Sequence, residues 1–241
     1  MSDETQSNDD EDTADNRVDT GVKIFDSRSS YGGLPTGKPI AYQYDLIYQG
    51  DILLYVMANH HNTKFVTTTK SPNRIKELAY YSSSSLVEER TYNENLEVFD
   101  GLNNKADKAA KSAINALEEG DLLIVDRYED VIEDLNGGAE AVQFTEDIIQ
   151  HTKDNNNLCF LTFKTGNNLS KLKEIVIGQL PGLMEMEYNE VGTQRKQILR
   201  THRIRGFNTG KKTLADFDTT HQVEIQSGTL KENSDTQHNL S

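Results

Sequence analysis

The sequence predicts an α/β fold in which a mostly parallel central sheet is covered by helices on both faces, a three-layer αβα arrangement. Short apolar runs rich in β-branched residues alternate with longer stretches of helical character. The run Leu122–Val125 contains no polar residue, as expected for a strand that is buried on both faces. The last three predicted strands follow one another without helices, so we expect them to pair antiparallel at a sheet edge or in a hairpin.

The predicted strands are short, apolar and rich in residues that favour extended backbone. They cover residues 39–44, 64–69, 96–100, 121–126, 158–163, 183–188, 197–203 and 222–225.

The predicted helices fall between these strands, at residues 51–60, 72–81, 105–118, 139–152 and 169–178. The third has the clearest apolar stripe, and Gly120 follows it as a stop signal. Ser71 and Pro72 suit the N-cap and first turn of the second helix. An acidic run at residues 126–134 is interpreted as a solvent-facing, helix-like surface.

Charge is unevenly distributed along the chain. Among 241 residues, 39 are Asp or Glu and 25 are Lys or Arg, which gives a formal net charge of −14. Such a field repels phosphate, so it disfavours a nucleic-acid coat protein or a binder of anionic membranes. Residues 1–22 are predicted to be a disordered acidic tail and residues 229–241 a disordered polar tail. Residues 23–228 are then long enough for one domain with a sizeable core, whose remaining acidity fits either solubility or a high-salt cytoplasm.

The single cysteine, Cys159, excludes a disulfide framework and any metal site built from several cysteines. We expect Cys159 to be a small buried residue of an apolar strand. The N-terminal residues lack a basic segment followed by an apolar one, and no stretch approaches 18 apolar residues, so we expect a cytoplasmic protein without a membrane span.

Several short motifs resemble the RecA-like ATPase fold (a P-loop NTPase type), and specifically its KaiC-like branch, which is common in archaea. These are the turn YGGLPTGKP before the first core strand, the segment VTTTKSPNRIKEL, the strand LIVD in the place of the Walker B strand, and the closing pair GLMEMEY and RKQILRTHRIRG. The motifs occur in the family's order over residues 30–228. The resemblance implies a RecA-like domain over residues 23–228.

The phosphate-binding loop that this resemblance implies is degenerate. A working loop reads GxxxxGK[ST], in which the Lys neutralises phosphate charge and the hydroxyl binds Mg²⁺. The aligned residues are Gly50, Asp51 and Ile52, so an acid replaces the Lys and an apolar residue replaces the Ser or Thr. We expect Asp51 to serve as an acid at a helix N-terminus.

The catalytic carboxylates of the family are also missing. The pair of Glu residues that would follow the second strand is replaced by Thr69 and Lys70. Asp126 remains at the Walker B position, where it would hold Mg²⁺ in an intact site. Without the loop and the general base, we interpret Asp126 as a structural residue and expect neither ATP nor Mg²⁺ as a cofactor. We assign no catalytic and no metal-binding residues.

A basic segment stands out in this acidic chain. Residues 195–212 contain seven Lys or Arg and no acid. In the family, basic residues of the closing strand reach a neighbouring subunit's nucleotide, so the resemblance implies a partner interface; the candidates are Lys196, Arg200, Arg203 and Arg205. The competing interpretation is an exposed edge strand that its charges protect from aggregation.

The resulting hypothesis is a pseudo-ATPase: a non-catalytic RecA/KaiC-like protein with a regulatory or scaffolding function in signalling or transcriptional control. It would bind a protein partner, either an intact ATPase paralogue or another copy in an oligomer. Two alternatives remain open from the sequence: an atypical nucleotide-binding ATPase or switch, and an accessory DNA-binding protein of recombination.

Overall fold

Among the residues that the structure describes, a central sheet of seven strands organises the fold. The structure, a computed structural model, describes residues 17–21, 33–44, 51–83, 93–165, 170–191, 194–204, 222–226 and 229–233. The strands are β1 Arg17–Val18, β2 Leu34–Pro35, β3 Ile40–Tyr44, β4 Thr63–Thr67, β5 Leu96–Asp100, β6 Leu122–Val125, β7 Leu158–Lys164, β8 Gly182–Val191, β9 Gln194–Ile204, β10 Gln222–Gln226 and β11 Thr229–Asn233.

The helices lie between the strands, as the alternating sequence pattern predicts. They are α1 Ile52–His60, α2 Pro72–Ser83, α3 Ala106–Asn115, α4 Tyr128–Asp134, α5 Gly138–Asp154 and α6 Lys171–Gln179. The apolar stripe of α3 is buried through Ala106, Ala109, Ala110 and Ala113. The start of α2 is also as predicted, because Pro72 follows Ser71, whose Oγ accepts a hydrogen bond from the Arg74 amide at 3.4 Å.

The strand order in the main sheet is β5-β4-β6-β7-β3-β8-β9. Every neighbouring pair is parallel except β8 and β9, which are antiparallel. This confirms the mostly parallel sheet with antiparallel C-terminal strands. Strand β10 pairs with β11 in a separate hairpin rather than with the main sheet.

The core consists of two apolar layers, one on each face of the sheet. On one face, strand residues such as Tyr42 and Phe65 pack against α1 and α2. On the other face, residues such as Leu123 and Leu161 pack against α3 to α6. Because helices cover both faces, the predicted three-layer αβα architecture is correct. Within the described residues, no helix is both long enough and apolar enough to cross a membrane.

The β8–β9 pair extends beyond the rest of the sheet. Strand β3 pairs with β8 over Gly182–Met186 only, whereas β8 and β9 stay paired as far as Val191 and Gln194. The additional five residue pairs form a ribbon about 17 Å long. Since β8 is parallel to β3, this ribbon leaves the sheet at the carboxyl edge of the parallel strands.

A bulge in β9 controls which of its residues share a face. The register pairs Lys196 with Asn189, Arg200 with Glu185, and Arg203 with Leu183, with an irregularity between Leu183 and Met184. Partners in register lie on the same face of a sheet. The three basic positions therefore share one face, although simple alternation would place Arg203 opposite to the other two.

Both predicted tails overlap described strands in part. Strand β1 lies within residues 1–22 and pairs with β2, and β11 lies within residues 229–241. Residues 1–16, 22 and 234–241 lie outside the described residues. The tail boundaries stay a prediction.

Candidate functional site

Polar residues from three strands meet at the carboxyl edge of the sheet. Tyr44 is the last residue of β3, and Asp126 directly follows the buried strand β6. Thr69 and Lys70 lie in the turn after β4, and Asp51 precedes α1. Parallel strands bring their carboxyl ends to one edge, which is why residues so distant in sequence become neighbours.

Asp126 is buried and both of its carboxylate oxygens accept hydrogen bonds. Asp126 is only 2% exposed. The Tyr44 hydroxyl donates to Oδ1 at 2.9 Å, reaching across β7, which separates β3 from β6. The Thr69 hydroxyl donates to Oδ2 at 2.5 Å. Burial raises the pKa of Asp126, while the Thr69 hydrogen bond and the charge of Lys70 act in the opposite direction.

Asp51 forms an ion pair with Lys70. The Lys70 ammonium lies 3.0 Å from Oδ2 of Asp51, and the Tyr55 hydroxyl donates to the same oxygen at 2.7 Å. Lys70 Nζ also lies 5.8 Å from the centroid of the Tyr55 ring, within the range of a cation–π contact. The side chains of Lys70 and Asp51 are 29% and 14% exposed, so this pair is shielded from solvent in part.

Asp51 lies at the N-terminus of α1, as expected from the sequence. Asp51 occupies the N-cap position of α1, but its side chain makes no capping hydrogen bond. The carboxylate turns instead to Tyr55 and Lys70, because a full positive charge and a phenol donor bind it more strongly than the partial charge of the helix end.

The turn after β4 fixes the position of Lys70. Thr67 Oγ1 donates to the Lys70 carbonyl oxygen at 2.9 Å and accepts from the Lys70 amide at 3.2 Å. The next residue, Thr68, has its hydroxyl 2.6 Å from Oδ2 of Asp130. These contacts hold both ends of the turn, so Lys70 is delivered to Asp51 by a defined backbone conformation.

The two tyrosines act as neutral hydrogen-bond donors. Burial, together with the nearby carboxylates, raises the pKa of Tyr44 and of Tyr55 well above the usual value. Each phenol therefore stays protonated at physiological pH and donates a hydrogen bond to a carboxylate. Tyr44 and Tyr55 were not singled out from the sequence, because their roles depend on contacts across strands and across one turn of α1.

The acids at residues 126–134 make more hydrogen bonds and ion pairs than the sequence suggested. Its Glu129 accepts from the Lys164 amide at 2.9 Å, Asp130 pairs with Arg127 at 3.0 Å, and Asp134 accepts from the Ala106 amide at 2.6 Å. The interpretation of this run as a merely solvent-facing surface is therefore wrong. These acids link α4 to β7 and to α3.

The described polar groups at this edge bind one another. Ile52, at the expected Ser or Thr position, is apolar and buried. Lys70 is committed to Asp51, and Asp126 to two hydroxyl donors. The described part of the chain contains no cluster of three or more His, Cys, Asp or Glu side chains that could hold a metal ion.

The predicted site residues divide into two groups. Asp51, Ile52 and Asp126 lie at the carboxyl edge, whereas Gly50 lies outside the described residues. Lys196, Arg200 and Arg203 lie on β9, at the sheet edge two strands from β3, and Arg205 lies outside the described residues. Cys159 is fully buried as expected, and burial raises its pKa to about 12.

Solved structures of similar shape identify the fold. A KaiC-like protein from the hyperthermophilic archaeon Pyrococcus horikoshii matches with a TM-score of 0.64 at 13% identity, over 90% of this chain and 98% of that chain. The flagellar accessory protein FlaH from Methanocaldococcus jannaschii matches with a TM-score of 0.64 at 15% identity, over 90% and 98%. The chain therefore has the RecA-like α/β fold.

The family follows from a sequence match. A family model covers residues 17–229, and the chain belongs to that family, described as a family of unknown function (DUF7125). No curated protein matches the sequence.

Proposed function

We propose that this chain is a non-hydrolysing RecA-like protein with a regulatory or scaffolding function that binds a protein partner. The partner is an intact ATPase of the same fold class, in signalling or transcriptional control. The observation that carries the first half of this proposal is the Asp51–Lys70 ion pair at the start of α1.

The ion pair argues against phosphate binding on electrostatic grounds. A phosphate at the start of α1 would lie beside the Asp51 carboxylate, and two like unit charges at 4 Å repel by about 4 kcal/mol at an effective dielectric constant of about 20. The helix N-terminus offsets about 0.3–1 kcal/mol of that repulsion. Lys70 could neutralise a phosphate only by leaving Asp51 without its cation.

Calorimetric titration of the chain with Mg-ATP tests this half of the proposal. We expect no saturable heat with the unaltered chain. Binding in the micromolar range that disappears in Asp126→Ala would contradict the proposal and support the alternative, a nucleotide-binding switch. The observation that favours this alternative is the carboxylate that Asp126 keeps at the end of β6.

The partner-binding half of the proposal rests on β9. Its basic positions Lys196, Arg200 and Arg203 share one face, and β9 is an edge strand of the sheet that the described residues form. A cationic edge of this kind suits a negatively charged partner surface or a nucleotide held by a partner. The rest of the chain is acidic on balance, so a basic partner would be attracted to its other surfaces and not to β9.

The corresponding experiment uses the ATPase that co-purifies with the tagged chain. Replacing Arg203→Ala together with Arg205→Ala should lower that partner's ATPase rate without unfolding this chain. The matched control is the pair Lys105→Ala, at the exposed residue before α3, and Lys108→Ala, on the exposed surface of α3; it should leave the rate unchanged. Equal rates with both double variants would reject a role for the β9 arginines.

A further inference from the structure

The side chain of Lys173 is shielded from solvent at the carboxyl end of β7. It is only 11% exposed. Its Nζ donates a hydrogen bond to the Lys164 carbonyl oxygen at 2.5 Å and lies 5.6 Å from the centroid of the Phe163 ring. Lysine side chains are mostly exposed, and the carboxyl edge of a parallel sheet is where α/β proteins bind their ligands. Lys173 therefore combines an unusual environment with a position suited to a functional group.

The surroundings of Lys173 destabilise its charged form. Burial lowers the pKa of the amine, and the charges of Arg127 and Lys164 lower it further. Lys173 also lies in the first turn of α6, where its amide donates to Ser170 Oγ at 3.2 Å. The N-terminus of a helix carries partial positive charge, so this location adds to the repulsion. The burial, the two cations and the helix end all favour the neutral amine.

Among the described residues, Glu129 acts on Lys173 in the opposite direction. Glu129 Oε1 lies 3.8 Å from Lys173 Nζ and raises the pKa of the amine. That separation exceeds hydrogen-bond distance, and the same oxygen accepts from the Lys164 amide at 2.9 Å. A second acid, Asp130, is 3.0 Å from Arg127. Because the pKa of Lys173 is lowered on balance, a larger fraction of Lys173 than of an ordinary lysine is neutral.

We propose that Lys173 is a nucleophile that forms a reversible imine with a small aldehyde or keto acid that carries an anionic group. A desolvated lysine beside other cations suits this chemistry. The neutral amine attacks the carbonyl carbon, and the carbonyl oxygen leaves as water with the two amine hydrogens, so a C=N bond replaces the C=O bond. Arg127 and Lys164, whose charges disfavour the ammonium, attract the anionic group. This activity goes beyond the proposed function and requires neither a nucleotide nor a protein partner.

Trapping of the imine in the full chain tests the nucleophile. The chain is incubated with glyoxylate, the imine is reduced with borohydride, and peptide mass spectrometry locates the carboxymethyl groups that result. We expect Lys173 to be modified about tenfold or more faster than the exposed Lys105. The fast phase should be lost in Lys173→Arg and kept in Lys171→Arg, the matched control at an exposed position of the same helix. Modification of Lys173 no faster than that of Lys105 overturns the proposal.

A neutral aldehyde separates the reactivity of the amine from the attraction of the anion. Acetaldehyde forms the same bond without a negative charge, so the ratio of glyoxylate to acetaldehyde modification at Lys173 measures that attraction. The contacts of Lys164 described above use its backbone, and its side chain is exposed. Lys164→Gln should lower the ratio about threefold or more, whereas Lys108→Gln on α3 should leave it unchanged. An unchanged ratio in Lys164→Gln overturns the assignment of an anionic substrate.

The calorimetric titration with Mg-ATP separates this proposal from the proposed function. Binding of Mg-ATP would contradict the proposed function and leave the modification of Lys173 unchanged, because the reaction uses no nucleotide. Slow modification of Lys173 would overturn the present proposal and leave the titration unaffected.

Discussion

Lys70 and Asp51 form an ion pair of 3.0 Å with the charges in the reverse of the order that a phosphate-binding site requires. The acid stands at the start of α1, and the base stands in the turn after β4. Each residue considered alone only departs from the pattern of a phosphate-binding site. Together they form a contact that links the start of α1 to the turn after β4 and stabilises the fold.

Removing the cation of this pair should destabilise the protein. Lys70→Gln leaves the Asp51 carboxylate, which is 14% exposed, with the Tyr55 hydroxyl as its remaining side-chain partner among the described residues. We expect the free energy of unfolding in urea to fall by about 1–3 kcal/mol. Lys70→Gln combined with Asp51→Asn should recover part of that loss, which a double-mutant cycle measures.

A surface ion pair provides the control for that cycle. Arg74 and Glu77 are also 3.0 Å apart, but both side chains are more than half exposed. Arg74→Gln should change the free energy of unfolding by less than about 0.5 kcal/mol. Equal losses in Lys70→Gln and Arg74→Gln would mean that the Asp51–Lys70 pair has no special role.

The stability contributed by Asp126 should decline as the pH rises. Burial raises its folded-state pKa above the ordinary value of 3.8. An acid whose pKa is raised by folding contributes stability that is complete below the unfolded-state pKa. This stability is lost as the pH rises through the folded-state pKa. The unfolding free energy of the unaltered chain, relative to Asp126→Asn, should therefore fall on going from acid to neutral pH.

Asp100 should show the opposite trend. Hydrogen bonds from Asn103 lower its pKa below 3.8. The stability that Asp100 contributes is present above the unfolded-state pKa and is lost as the pH falls, so the difference from Asp100→Asn should grow with pH. Chemical denaturation at a series of pH values measures both trends, and parallel slopes would contradict the assignment for Asp126.

Mild acid should reduce the stability that His61 contributes. Burial, with a contribution from His60, lowers the pKa of His61 from its ordinary 6.5, while its interactions with Asp19 and Thr20 act in the opposite direction. A base whose folded-state pKa is lowered contributes stability that is lost as the pH falls below the unfolded-state pKa. The free energy of unfolding of the unaltered chain, relative to His61→Asn, should therefore fall below a pH of about 6.5. A difference that stays constant with pH would contradict this assignment.

A side chain at Gly33 should break the pairing of β1 with β2. Gly33 has φ +59, and an added Cβ would overlap the carbonyl oxygen of Val18. Gly120 has a similar φ of +81 with nothing within 4 Å of the added atom, so Gly120→Ala isolates the backbone strain, about 1 kcal/mol. Limited proteolysis near Arg17 should therefore be faster in Gly33→Ala than in Gly120→Ala. Equal rates would show that the overlap is relieved without loss of the pairing.

The fold was largely predictable because its signal is local. Apolar runs such as Leu122–Val125 and the stripe of α3 define strands and helices without reference to the rest of the chain. The two-residue strands β1 and β2 were missed because a pattern cannot be recognised over so short a length. Helix α4 was predicted only as a helix-like surface, since its acids hide the buried Tyr128, Val131 and Ile132.

The sequence predicted which residues lie at the site, but not the contacts that they make. Asp51, Lys70 and Asp126 were singled out because motif residues were expected at those positions. The sequence could not predict that Lys70 neutralises Asp51, because that depends on how closely the turn after β4 approaches α1. Nor could it predict the Tyr44 hydroxyl on Asp126, which requires the order β6-β7-β3.

The bulge in β9 makes the basic face depend on backbone geometry as well as on composition. One residue, His202, lies between the paired positions Thr201 and Arg203, and its ring contacts Glu185 at 2.8 Å. A homologue that lacks His202 would pair regularly with β8, and Arg203 would then follow Arg200 by two positions and stay on its face. A homologue that keeps this residue but pairs without the bulge would instead place Arg203 on the opposite face.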